Sequence, residues 1–183
     1  MKTVFLLVIT LILITGCRLD YEGVMMADEI AEDIPDTILN SFVHTQVKGG
    51  RKTFMVQADR GEFYDKKRET LFTGVQFREF GSDGAVITEG TCEQARLYTD
   101  TDNVELWGGL RFYSAREEAQ LTAEALFWND AQGALTAASE VFVEIEKDSG
   151  SRLRGRGFSA ETGSRTVRFE ADVSGAWVGN DEE

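Results

Sequence analysis

The sequence is poor in the residues from which catalytic and metal sites are most often built. Its 183 residues include one histidine, His44, two cysteines and one proline, Pro35. A single histidine gives no histidine-based metal cluster, and any Ser-His-Asp or Cys-His catalytic device would need His44. Residues 100–103 begin like a calcium loop, but the chain lacks the glycine and the final acidic ligand that this loop requires. We therefore predict a non-enzymatic protein without a metal or a cofactor.

Long apolar runs are equally scarce, and the clearest one lies at the N-terminus. Residues 4–14 are almost unbroken in apolar character, follow Lys2 and lead into a Thr-Gly-Cys sequence that ends at Cys17. The run is shorter than the about 20 apolar residues of a membrane span and has the layout of a signal peptide. Ile14 to Cys17 resembles a bacterial lipobox, which implies cleavage before Cys17 and a lipid on its thiol. An uncleaved, slightly short anchor helix is the alternative, and either one tethers the chain.

These features predict the domain organisation. We expect a signal peptide at 1–16, a lipidated N-terminus and linker at 17–36, one domain at 37–178 and an acidic tail at 179–183. With Cys17 consumed by lipid, Cys92 has no disulfide partner, and we expect it to be an ordinary core residue.

Basic residues are fewer than acidic residues, 19 against 32. The formal net charge is -13, and removing residues 1–16 takes away only Lys2, which gives -14. An acidic domain repels nucleic acid and anionic lipid headgroups, so we expect no nucleic-acid partner. The segment that ends near Pro35 is therefore interpreted as a spacer between the membrane and the domain.

What the sequence has in abundance is apolar alternation with a period of two. From about Ile38 onward apolar and polar residues alternate in short stretches, for example at 104–112, 141–145 and 167–173. Clusters typical of turns separate these stretches, at 48–50, 65–68, 81–84, 100–103, 129–133 and 148–150. We therefore predict an all-β fold of short antiparallel strands, arranged as a sandwich, barrel or jelly roll.

One stretch goes against this pattern, because residues 115–126 are mostly helix formers. A degenerate repeat nevertheless favours a strand there. Each copy has a small residue, an acid, a second small residue and two bulky residues, and the copies lie at 58–64, 92–98 and 122–128. The first two copies are followed by glycine-containing apolar stretches at 71–75 and 106–110. We predict a strand over 119–128, with a helix over 115–128 as the alternative.

This repeat, the N-terminal lipobox or anchor and the linker at Pro35 together resemble the LptC family, the membrane-tethered periplasmic component of lipopolysaccharide transport. Residues 153–158, running into 167–175, also look like the family's C-terminal pair of strands, and the resemblance covers roughly residues 34–178. It implies a twisted, open β-jelly roll, related to the OstA/LptA fold, whose two sheets form an apolar groove for the acyl chains of lipopolysaccharide or a similar glycolipid. The lipobox differs from the transmembrane helix of typical members.

The resemblance also implies the partners. The N-terminal edge of the fold docks on the inner-membrane transporter LptB-LptF-LptG, and the C-terminal edge pairs with an LptA-like periplasmic bridge protein. We expect the C-terminal edge at Val167, Phe169, Ala171, Val173 and Trp177. The implied localisation is the periplasmic side of the inner membrane, with the outer membrane or cell surface as the alternative.

Inward residues of the predicted strands are candidates to line the groove. They are Phe54, Val56, Phe77, Val104, Leu106, Leu110, Phe112, Val141, Val143, Phe169 and Val173. Each can equally serve as ordinary core packing. Arg152, Arg154 and Arg156 share one strand face, and because guanidinium groups suit phosphate they are candidates for phosphate contacts at the groove mouth. A solvated strand face is the alternative.

Two functions are consistent with these sequence features. The first is a non-enzymatic lipid-transfer component that accepts lipopolysaccharide or a related glycolipid from an inner-membrane ABC transporter and passes it along a periplasmic β-jelly-roll bridge toward the outer membrane. The second is a structural or surface-displayed interaction lipoprotein. A carrier needs an open apolar groove and edges that pair, whereas an interaction module has a closed β-sandwich core.

Overall fold

The computed structural model describes residues 33–161, 163–164 and 166–178. These residues form strands β1 (Thr37–Lys48), β2 (Arg51–Tyr64), β3 (Glu69–Phe80), β4 (Val86–Tyr98), β5 (Asn103–Ser114), β6 (Ala119–Asn129), β7 (Ala134–Thr136), β8 (Phe142–Lys147), β9 (Arg152–Arg156), β10 (Ser159–Glu161), β11 (Thr166–Arg168) and β12 (Ala171–Ala176). The all-β prediction is confirmed. Within the described part of the chain, no helix has the length and apolar character to cross a membrane. The predicted signal peptide, Cys17, most of the linker and the acidic tail lie outside the described residues.

The strands form one open antiparallel sheet that divides at β6. Strands β1 to β6 pair in chain order. Residues 119–123 of β6 then pair with β8, which leads to β9 and β12. Residues 127–129 of β6 pair instead with β7, which leads to β10 and β11. We call the two halves sheet A (β8, β9, β12) and sheet B (β7, β10, β11), and the long strands contribute residues to both.

The ambiguous stretch is a strand, as predicted, since β6 runs from Ala119 to Asn129. Tertiary packing overrides the helix propensity there, because Leu121, Ala123 and Leu126 all belong to the apolar core or pack against it. The predicted turns are also observed between the strands. Strands β1 to β6 have 11 to 14 residues and are longer than expected, because each passes through both sheets.

Residues of both sheets meet in one apolar core. Its buried members are Val75, Cys92, Ala95, Leu110, Leu126, Val143 and Phe158. Burial raises the pKa of the Cys92 thiol to about 11, which leaves little of the reactive thiolate at neutral pH. The prediction that Cys92 is a core residue is confirmed.

Glycines and acidic side chains together form the bends between the two sheets. Gly108 has φ +83° in the middle of β5, where the register between β5 and β6 shifts. The side chain of Glu93 on β4 covers it, so a Cβ at position 108 would lie 2.6 Å from the Glu93 Cβ. Asp59 covers Gly74 in the same way, and Glu170 covers Gly157. In the first two copies of the sequence repeat, the acidic side chain therefore packs against a glycine of the next strand.

This arrangement predicts that Gly108→Ala destabilises the protein more than Gly109→Ala. Both glycines have positive φ, but a Cβ at Gly109 meets nothing within 4 Å, whereas one at Gly108 collides with Glu93. We expect Gly108→Ala to lower the free energy of unfolding by about 2 to 3 kcal/mol and Gly109→Ala by about 1 kcal/mol. Urea denaturation measures both, and equal losses would show that the Glu93 contact is not part of the bend.

Candidate functional site

The inner surface of sheet A carries a row of aromatic rings. The ring centroids of Phe54 and Phe77 lie 5.9 Å apart, and those of Phe77 and Phe112 lie 5.1 Å apart in an edge-to-face arrangement. Gly90 lies between them in the sheet, and a Cβ there would collide with Phe77 and Phe112. Glycine at this position therefore makes room for the rings, which form a continuous apolar strip across four strands.

A second aromatic group joins strands β1, β2 and β3. Phe42 stacks on Phe72 with centroids 5.8 Å apart, and Phe63 packs edge-on against both. None of these three residues was among the candidates from the sequence. Phe63 and Phe72 lie on different strands, nine positions apart, on either side of the β2–β3 turn. Alternation within a single strand therefore does not predict that they pack together.

The interior is closed in the middle of the fold and more exposed at β1. Val143 on β8 is 0% exposed, and Leu110 and Val75 are also buried. On β1, by contrast, every residue is exposed except the half-buried Phe42. Leu39, which pairs with the buried Gly61 of β2, is 40% exposed. The apolar interior is thus accessible to solvent along the β1 side of the sheet.

The structure places most of the predicted lining residues in or against this interior. Leu110 and Val143 belong to the core, and six others pack against it: Val56, Val104, Leu106, Phe112, Val141 and Phe169. Phe54 and Phe77 join through the ring contacts described above. Val173 is different, because it lies on the terminal strand β12 and is 55% exposed. That these residues contact a lipid stays a prediction.

The three candidate phosphate-binding arginines lie on the outer face of sheet A. Inward-facing Val143 and Ile145 pair with Gly155 and Leu153 of β9, so the intervening arginines point to the opposite face. Arg152 donates a hydrogen bond of 2.7 Å to Glu146, and this bond raises its pKa. The Arg154 guanidinium lies 4.3 Å from the ring centroid of Phe142, and Arg156 forms an ion pair with Asp172. The arginines therefore do not line the interior.

The sheet has open edges at both ends. Among the described residues, β1 pairs only with β2, and the other edge of its twelve residues has no strand partner there. At the C-terminal end, within the part of the chain that the structure describes, β11 pairs only with β10 and β12 only with β9. The C-terminal edge expected between Val167 and Trp177 is divided into two short strands, β11 on sheet B and β12 on sheet A, which the alternation from Val167 to Val173 did not predict. Its pairing with a partner protein stays a prediction. Ala171, Val173 and Trp177 are exposed near β12, and Val167 is exposed on β11.

Phe169 accounts for the break in that edge. It lies between β11 and β12 in the chain, and its ring packs on Phe158 with centroids 5.5 Å apart. The next residue, Glu170, covers Gly157 and donates its backbone N–H to the carbonyl of Arg156. Phe169, predicted both for the groove and for the edge, therefore belongs to the interior.

Polar chemistry is sparse around this interior. Among the residues that the structure describes, no group of three or more His, Cys, Asp or Glu side chains could hold a metal ion. His44 is exposed on β1 and stacks on Phe42 with centroids 6.3 Å apart. The interior offers apolar contact area with few polar groups, which suits hydrocarbon chains better than a polar substrate.

Comparison with known proteins agrees with this geometry. The profile of the family described as "Lipopolysaccharide-assembly, LptC-related" matches residues 5–177. The chain belongs to the LptC family. The comparison with curated proteins gives no match. Membership of the LptC family gives the protein a role in lipopolysaccharide transport, as a transport component of the periplasm.

A solved structure supports the fold assignment. LptH from Pseudomonas aeruginosa, described as the LptA-homologous periplasmic component of the lipopolysaccharide transport device, is similar with a TM-score of 0.54. The two sequences are 16% identical, and the similarity covers 69% of this chain and 95% of LptH. At this identity the comparison shows the fold alone. The predicted open β-jelly roll is confirmed.

Proposed function

We propose that this LptC-family protein accepts lipopolysaccharide or a related glycolipid from an inner-membrane ABC transporter and passes it, chemically unchanged, along a periplasmic bridge of β-jelly rolls toward the outer membrane. The observation that carries the proposal is the apolar interior, which is packed at its centre and exposed along β1. A glycolipid's acyl chains gain about 0.8 kcal/mol for each methylene that leaves water, so such an interior attracts them without specific polar contacts.

The open edges support hand-over between proteins. A strand with an unpaired edge can accept a strand from a partner and so continue the sheet. We propose that β1 docks on the periplasmic part of the transporter LptB-LptF-LptG and that β12 pairs with an LptA-like bridge protein. A β bridge of this kind would align the apolar interiors of successive proteins.

The N-terminal sequence supports a site of action on the periplasmic side of the inner membrane. A lipid attached at Cys17 would anchor the chain there, and the acidic segment before β1 would keep the domain off the membrane surface. Mass spectrometry of the mature protein distinguishes an acylated Cys17 from an uncleaved helix.

Photo-crosslinking in cells tests the assignment of the two edges. A benzophenone amino acid at Val43 on β1 is expected to capture a transporter subunit, and one at Val173 on β12 an LptA-like protein. Thr91, which pairs with Arg111 in the middle of the sheet and faces outward, is the matched control. Capture of the same partner from both edges, or of neither partner from either edge, would contradict the proposal.

A further inference from the structure

One cleft of the fold lies apart from the aromatic rows. It is lined by Glu117 and Glu118 of the β5–β6 turn, Lys147 and Ser149 of the β8–β9 hairpin, and Trp177 and Val178 after β12. Its volume is about 330 Å³, which is at the small end of the range for ligand pockets. Three separate chain segments thus contribute aromatic, cationic and anionic side chains to one small cleft.

A buried serine holds the C-terminal wall of the cleft in place. The Ser151 side chain, in a residue only 5% exposed, accepts a hydrogen bond of 3.0 Å from the Val178 N–H and donates one of 3.3 Å to the Val178 carbonyl. The preceding residue, Trp177, is 80% exposed. Because the backbone of the next residue is held in place while the indole itself is exposed, the Trp177 ring is available to stack on a ligand.

Lys147 lines the cleft and also lies at the end of the inner face of sheet A. Ile145 packs against the core, and because side chains alternate along a strand Lys147 at the end of β8 shares its inward face. Among the described residues Lys147 forms no ion pair, in contrast to Arg152 on the outer face. The positive charge of Lys147 therefore lies where the apolar inner surface of sheet A reaches solvent.

We propose that this cleft binds a phosphorylated sugar, the headgroup of the glycolipid whose acyl chains occupy the interior. The proposal rests on the proposed function. The Trp177 ring would stack on a sugar face, and Lys147 would pair with the phosphate. Glu117 and Glu118 would accept hydrogen bonds from sugar hydroxyls. Inorganic phosphate has neither the sugar face nor the hydroxyls for these contacts, so the cleft selects a phosphorylated sugar over inorganic phosphate.

Fluorine NMR of the full-length protein in detergent, labelled with 5-fluorotryptophan, tests the proposal. The probes are glucosamine 1-phosphate, glucosamine and inorganic phosphate, and Trp177→Phe assigns the resonance. Glucosamine 1-phosphate is expected to shift the Trp177 signal saturably while the Trp107 signal stays unchanged. Lys147→Ala should weaken this binding about tenfold, because it removes a charged hydrogen bond. Lys52→Ala, which removes an exposed lysine from β2, should leave this binding unchanged.

Each other outcome overturns the proposal. No shift at Trp177, equal shifts at Trp107, unchanged affinity in Lys147→Ala or an equal response to inorganic phosphate would each exclude a phosphorylated-sugar site. The probes carry no acyl chain, so their failure leaves the apolar interior untested. If residues of the interior capture glycolipid in cells while the probes fail to bind, the cleft proposal fails alone.

Discussion

Replacing Phe158 by alanine is expected to lower the free energy of unfolding by about 3 to 5 kcal/mol. Phe158 has the largest fully buried side chain of the described residues, lies between β9 of sheet A and β10 of sheet B, and packs on Phe169. Its removal leaves a cavity where the two sheets meet. Because single domains are stable by about 5 to 15 kcal/mol, this variant should come close to unfolding, which urea denaturation measures.

Phe142→Ala is the matched control for this variant. Phe142 is the same residue type but lies exposed on the outer face of β8, where Arg154 covers its ring. We expect a loss of about 1 kcal/mol, most of it from the cation–π contact. If the two variants lose similar stability, the centre of the interior is not the closed core that we describe.

Replacing Phe54 by aspartate is expected to weaken the binding of acylated glycolipid at least about tenfold. Phe54 is half-buried and stacks on Phe77 within the aromatic row. A carboxylate there would have to lose water against hydrocarbon, at a cost well above the roughly 1.4 kcal/mol that corresponds to a tenfold change. The measurement is equilibrium binding of a fluorescent lipopolysaccharide to the purified protein.

Met55→Asp is the control, since Met55 is the next residue and pairs with Arg78 on the outer face. It should bind glycolipid as the unmodified protein does. Both variants are compared by urea denaturation, so that a loss of folding is not read as a loss of binding. Equal weakening of binding by the two folded variants would argue against an interior lipid site.

Much of the interior could be predicted from sequence because alternation along a strand is a local property. Val143, Leu110 and Phe112 lie at positions where apolar residues recur with a period of two, and the structure turns them inward. The repeat correctly assigned residues 119–128 to a strand although their propensity favoured a helix. That success came from the match with copies elsewhere in the chain.

The sequence-based predictions that failed depended on contacts between distant segments of the chain. The Arg152 to Arg156 alternation shows a shared face but does not reveal which one, because that depends on the pairing of β9 with β8. The break near Phe169 likewise arises from its packing on Phe158. The cleft at Trp177 was also missed, since three segments far apart in sequence form it.

The central claim, that the interior holds glycolipid acyl chains, is tested most directly by photo-crosslinking in growing cells. A benzophenone amino acid is placed at inward-facing Phe77 or Leu106, with outward-facing Met55 and Glu105 as controls. We predict that both inward positions capture lipopolysaccharide or a related glycolipid and that neither control does. If the inward positions capture none while the protein is folded and abundant, the interior is only a closed core, and the interaction-lipoprotein function replaces the one proposed.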